Sequence, residues 1–210
     1  MIKNIAITQK EAPPNSISDA NFGIGRRTGS LVGKLLVAAP SLQETCFTRA
    51  VIYLCAHNEG GAMGVVVNYP VKNVEIDDIM EQLNIQDNSK RDVPIHFGGP
   101  IDGNRGFIVH SDDFVAAGTI HQNDGLAITS NAEILKAIAD GSGPRQSMLT
   151  LGYSGWGAGQ LEAEIESGNW IVVSATKQLI FDTNNDMKWN LAIASLGFDI
   201  GNFSSMVGHA

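Results

Sequence analysis

Ala50-Val-Ile-Tyr-Leu-Cys-Ala-His-Asn-Glu-Gly-Gly-Ala-Met-Gly-Val-Val-Val-Asn68 is the stretch whose reading decides the fold. Two β-branched, apolar runs, 50–55 and 63–68, flank Gly60-Gly61. Such runs favour strands, and the glycines supply the backbone freedom of a turn, so the segment predicts a β-hairpin with a longer loop. The runs are apolar almost without alternation, which predicts strands covered on both faces.

Outward from the hairpin, residues 31–38 predict a strand. Residues 75–83 predict a helix, because Ile76, Ile79, Met80 and Leu83 recur at helical spacing while Asp77, Asp78 and Glu81 face the other way. A polar loop covers 84–91. Strands follow at 95–97 and 107–110 around a turn, Gly98-Gly99-Pro100-Ile101-Asp102-Gly103, and another at 126–129. Ser130 and Glu133 have capping-box spacing ahead of Ile134, Leu135 and Ile138, and Gly141 ends that helix. A strand at 148–152, a glycine-rich turn, and a helix with Ala158, Leu161 and Ile165, stopped by Gly168, come next. Residues 170–173 form a strand. A last helix starts near Asn184, with Thr183 as N-cap and Asp186 in its first turn. Its apolar stripe is Trp189, Ala192, Ile193 and Leu196, and Gly197 closes it. Strands first and mixed alternation later predict an α+β fold, a mixed β-sheet flanked by helices. Residues 1–28 read as a flexible N-terminal tail and 29–210 as a single domain.

The chain has 210 residues, 43% apolar, enough for a core that buries roughly 70% of the unfolded surface. Its formal charge is -8, and the only adjacent basic pairs are Arg26-Arg27 and Lys90-Arg91. Nucleic-acid affinity depends on cations displacing phosphate counterions, so this balance argues against direct nucleic-acid binding and leaves a protein or small-molecule partner. Cys46 and Cys55 are too few for a disulfide framework and too far apart for a redox dithiol or zinc pair. With no signal-peptide core and no run of ~20 apolar residues, the expectation is a cytoplasmic protein with no membrane segment.

Gly152-Tyr-Ser-Gly-Trp-Gly-Ala-Gly-Gln-Leu-Glu162 is the most distinctive chemistry-bearing stretch. Read as a loop over 152–160 between strand and helix, it would bring backbone N–H groups to a small anion or nucleotide, making Ser154, Gly155, Trp156 and Gly157 candidate ligand-binding residues. It lacks the P-loop lysine, and Gln160 breaks the dinucleotide glycine pattern. The competing reading is a tight turn that buries Trp156. Ser154 also suggests a hydrolase, with Asp182 or Asp186 and then His209 in acid-then-histidine order, yet Trp156 stands where a nucleophile elbow needs glycine. No catalytic residue is assigned.

The turn His57-Asn58-Glu59 and the pair His96 and His110 around Gly98-Gly99 add His57, Asn58, His96, Gly98 and Gly99 to the candidate ligand set. His57, His96, His110 and Glu59 would hold a metal only if folding gathered them, so neither metal nor cofactor is expected. Cys55 and His57, two apart on a strand, share a face, which opens a His-assisted thiolate against the commoner buried, inert cysteine. Asp77-Asp78 and Asp112-Asp113 fit turn and cap chemistry.

Four stretches together resemble the AlgH/YqgE family of bacterial proteins: 33–42, 50–68, His96-Phe-Gly-Gly-Pro100 with Arg105-Gly-Phe-Ile-Val-His-Ser111, and 151–162. The ending, Phe181-Asp182, Trp189, Leu196-Gly197 and Gly208-His209-Ala210, also fits, and the resemblance spans about residues 30–210. It implies a mixed α+β fold whose sheet curls toward a pseudo-barrel. It assigns no catalytic residues. Some members carry the label of transcriptional regulator, of exopolysaccharide synthesis. The expected function is therefore a non-enzymatic regulatory or interaction protein, acting indirectly on transcription, with a small-anion or nucleotide-binding protein or enzyme as the alternative and a Ser154 hydrolase behind it.

Overall fold

A computed structural model describes residues 29–43, 45–122 and 125–197. The hairpin forms, but with a two-residue loop, Glu59-Gly60, in place of the longer loop expected: β2 (Val51–Asn58) pairs antiparallel with β3 (Gly61–Val66). On its other side β2 pairs with β1 (Lys34–Ala38), which pairs with β9 (Trp170–Ser174). β3 pairs with the C-terminal half of β8 (Ser147–Gly157), and the N-terminal half of β8 pairs with β5 (Ile101–Ser111). β7 (Leu126–Thr129) and β6 (Thr119–His121) complete that side. β4 (Ile95–Phe97) lies parallel to β8, while the other strand pairs are antiparallel. The sheet is therefore mixed, in the order β6-β7-β5-β8-β3-β2-β1-β9.

Side chains from β1, β2, β3, β5, β7, β8 and β9 meet in one buried cluster, which requires the sheet to curl around it. Leu35, Tyr53, Val65, Phe107, Ile128 and Val173 belong to it. Helix α4 (Asn185–Ala194) closes the open side by inserting Trp189, Ala192 and Ile193. The indole of Trp189 donates to the Ala38 carbonyl at 2.8 Å, which satisfies a buried N–H. The convex face carries two more clusters. Helices α1 (Ile76–Gln82) and α2 (Glu133–Ala139) pack against Ile108, Leu149 and Leu151. Helix α3 (Gln160–Glu166) covers β1, β2 and β3 through Leu161, beside Trp156 and Trp170. The fold is α+β, and the central strands are covered on both faces, as their continuous apolarity predicts.

Several local expectations are corrected. The glycine-rich stretch is not a loop from 152 onward: β8 runs through Gly157, and Gly155 and Gly157 sit opposite Met63 and Gly61. The glycine that this pairing crowds is Gly61, where a Cβ would come within 2.1 Å of the Trp156 oxygen. The turn after β4 is shorter than expected, since β5 begins at Ile101. The Ser130–Glu133 capping box does not form; the Asn131 carboxamide accepts the Glu133 N–H at 2.9 Å instead. Asn184, not Thr183, caps α4 by accepting the Asp186 N–H. The short edge strand β6 and a π-helical turn, Gln178–Asp182, carry no pattern that the sequence reading detected. The proposed N-terminal tail and His209 lie outside the described residues.

Candidate functional site

The predicted site residues do not converge on one place. His57 ends β2, where its Nδ1 accepts the Leu31 N–H at 3.0 Å and its Nε2 donates to Glu162 of α3 at 2.6 Å. Asn58 accepts the Gly60 N–H and shapes the hairpin turn. Gly98 and Gly99 are pressed against β8, where a Cβ would come within 2.2 Å of the Gly152 oxygen and of the Tyr153 carbonyl carbon respectively. Ser154 is buried in β8, its hydroxyl turned to the Gly98 carbonyl at 3.4 Å. Burial in a strand removes the exposed elbow that a serine nucleophile needs. Trp156 is core: it stacks edge-on with Trp170, and both indoles donate to Oε2 of Glu164. Gly157 donates its N–H to Gln160.

The Cys55–His57 reading is corrected by a β-bulge. The β2–β3 register shifts between Leu54 and Ala56, so Cys55 stays with the concave core while His57 turns to α3 on the convex side. Burial pushes the Cys55 thiol well above its ordinary pKa. His110 is also committed, with Nδ1 on the Ser111 carbonyl and Nε2 on the Thr129 hydroxyl. Among the described residues no group of three or more His, Cys, Asp or Glu could hold a metal. The acidic pairs serve caps and turns: Asp78 accepts the Glu75 N–H, and Asp113 takes the Ser111 hydroxyl and Arg145.

Of the candidate ligand-binding residues His96 lines a cleft, and Asp182, named above as a hydrolase acid, lines it too. This cleft, about 420 Å³, lies between β4, the start of β8, the π-turn and the N-terminus of α4. Lys188, one turn into α4, is only 2% exposed and lines it. Its Nζ donates to the carbonyls of Val67 and Ile180, both at 2.7 Å. The wide π-turn holds the Ile180 carbonyl toward the lysine. No carboxylate among the described residues pairs with Nζ. Burial without a counter-charge penalises the ammonium and pulls the Lys188 pKa down to about 8.

His96 is 1% exposed. With the Asn185 carboxamide oxygen as acceptor at 3.1 Å, its Nε2 carries the proton. Nδ1 is then a buried acceptor without a hydrogen-bond partner, and the nearby Pro94 carbonyl can offer it no proton. Burial holds the His96 pKa down to about 4; Asn185 opposes that shift and the Lys188 charge adds to it. The imidazole is therefore neutral at pH 7. Depressed pKa values in a cleft are a physical mark of functional sites. Lys188 was not singled out from the sequence. It sits four residues before Ala192, and so on the helix face that the apolar stripe buries.

The residues that build the hairpin, β8 and α4 are also those of a known family. An AlgH-like family model matches residues 35–201. The chain belongs to the AlgH-like family. A UPF0301 protein of a Jannaschia species is 45% identical over 186 residues, which span 87% of this chain and 97% of that protein. A second UPF0301 protein, from a Bradyrhizobium species, is 44% identical over 200 residues, 90% of this chain and 93% of that one. The solution structure of the AlgH protein of Pseudomonas aeruginosa superposes with a TM-score of 0.69 at 33% identity, covering 89% of this chain and 99% of that one. A crystal structure from Corynebacterium diphtheriae, at 22% identity and a TM-score of 0.64, covers 83% of this chain and 91% of its own and shares the fold. The curled sheet is thus the AlgH-like fold. Among the described residues no helix is long and apolar enough to cross a membrane.

Proposed function

We propose that this AlgH-like protein is a non-catalytic regulatory protein that senses a small molecule in the cleft floored by Lys188 and His96. One observation carries the reading. A lysine with no carboxylate partner is buried at the floor of a cleft, with one ammonium N–H unmatched among the described residues. Leaving that donor unmatched costs free energy, of the order of 1–3 kcal/mol, and a bound acceptor would offset it. The cleft lies within the usual 300–1,000 Å³ range of small-molecule sites. Because α4 also closes the core through Trp189, a ligand at its first turn would act on the helix that completes the fold.

The glycine-rich stretch no longer supports an anion loop, and buried Ser154 no longer supports a hydrolase. Transcriptional control, where it occurs, is indirect on this reading.

A thermal-shift screen against amino acids, carboxylates, sugar phosphates and nucleotides tests it. A ligand at ~100 times its Kd stabilises by roughly 2.7 kcal/mol. The expected result is at least one stabilising compound that is recovered unchanged and whose shift is lost in both Lys188→Met and Asn185→Ala. A flat screen, a shift that survives both variants, or conversion of the compound to a product would overturn the reading.

A further inference from the structure

The charges lining the cleft are arranged by depth. Lys188 and His96 lie at the floor, both almost fully buried, and Asp92 and Asp182 lie at the exposed mouth. No other titratable side chain lines it.

The floor is built for an anion. The Lys188 ammonium has three N–H groups, of which the Val67 and Ile180 carbonyls take two. The third has no acceptor among the described residues. Asn185 uses its carboxamide oxygen on His96, while its N–H₂ donors have no partner among those residues. Asn184 and Asn185 form the N-terminus of the ten-residue helix α4, whose dipole favours negative charge at that end. Neutral His96 adds an uncharged polar group beside the lysine.

The mouth favours the opposite sign. Asp182 gives one oxygen to the Gln146 carboxamide at 2.7 Å and has no cationic partner among the described residues; Asp92 has none either. A simple anion would neutralise Lys188 but be repelled by two carboxylates. A simple cation would suit the mouth and leave the buried ammonium unmatched. A molecule with both charges matches both levels.

We propose that the cleft takes a small zwitterion with the chemistry of a free amino acid, its carboxylate on Lys188 and the Asn185 amide at the floor, its ammonium on Asp92 and Asp182 at the mouth. This rests on the cleft being the ligand site.

Calorimetric titration of the full chain at pH 7 tests it. The probes are a set of free α-amino acids, the matching acids without the amine, the matching amines without the carboxylate, and neutral amides. At least one amino acid should bind at least ten-fold more tightly than its deaminated and decarboxylated counterparts. Combining Asp92→Asn with Asp182→Asn, both at exposed positions, should weaken that amino acid at least ten-fold and leave the matching acid unchanged or tighter. If an acid alone binds as well as the amino acid, or if only amines or neutral amides bind inside the cleft, the zwitterion is wrong and the ligand site stands. If no class binds, or binding is indifferent to Lys188→Met in a variant that circular dichroism shows to be folded, the ligand-site reading falls with it.

Discussion

The imidazole Nε2 of His57 donates to Oε1 of Glu162 at 2.6 Å, tying the end of β2 to α3 across 105 residues of chain. The orientation is forced, because Nδ1 already accepts the Leu31 N–H. That hydrogen bond holds the Glu162 carboxyl below the usual glutamate range, with its own backbone N–H helping and partial burial opposing. A depressed carboxylate pKa gives stability that is fully present above the unfolded value and is lost as pH falls through the folded one. Glu162 is about half exposed, so solvent screening keeps the pair to roughly 0.5 kcal/mol. Urea unfolding of the wild type and Glu162→Gln should differ by that amount at pH 6, and the gap should close as pH falls through the acidic range. A gap unchanged across that window would mean that the carboxylate charge plays no part.

The glycines carry a second prediction, opposite to what their sequence context suggests. Gly157 lies in the stretch read as an anion loop, yet an added Cβ would meet nothing closer than the Gln160 oxygen at 3.8 Å. Gly157→Ala should therefore change stability by less than about 0.5 kcal/mol, as an ordinary surface change does. Gly99 looks like a routine turn residue, yet its Cβ would overlap the Tyr153 carbonyl and the Ser154 nitrogen at 2.2–2.5 Å. Backbone atoms of a central strand cannot swing aside, so Gly99→Ala should cost at least about 1–3 kcal/mol. Paired denaturant titrations decide it, and the reverse ranking would remove the close packing of the Gly98-Gly99 turn on β8 as an explanation.

These two residues also show where sequence reading succeeds and fails. Strands 50–55 and 63–68 were legible as unbroken apolar runs around a glycine turn, and the helix through Ile76, Ile79 and Met80 because burial of one face imposes a period on the residues. The α4 stripe was legible at Trp189, Ala192 and Ile193; Leu196 is exposed because α4 ends at Ala194, ahead of it. The Gly152–Gly157 segment misled because glycine suits a tight loop and a crowded strand pair equally well. The Cys55–His57 pairing failed because one bulge inverts the facing of every later residue, and no local pattern announces it. Of the candidate site, His96 was found as a ligand-binding residue and Asp182 only as a hydrolase acid. Lys188 was missed because lysine on a helix is ordinarily a solvated residue, and its burial depends on a carbonyl from β3's exit and another from a π-turn, both distant in sequence or unmarked by pattern.

That buried lysine gives a stability signature that needs no ligand. Burial favours the neutral amine in the folded protein, at a pKa of about 8, against about 10.4 in the unfolded chain. Below pH 8 both states hold the proton, and the fold bears the full cost of an enclosed ammonium. Between pH 8 and about 10.4 the folded protein has released a proton that the unfolded chain keeps, so stability rises with pH. A difference of that size corresponds to about 3 kcal/mol. Lys188→Met lacks the titration, although it strands the Val67 and Ile180 carbonyls and so starts less stable. Denaturant unfolding at pH 7.5, 9 and 10.5 should show the wild type gaining on Lys188→Met by up to about 3 kcal/mol, with titrations common to both proteins cancelling in the comparison. Parallel curves would show that Lys188 titrates normally, and the uncompensated charge at the cleft floor would no longer be a reason to place a ligand there.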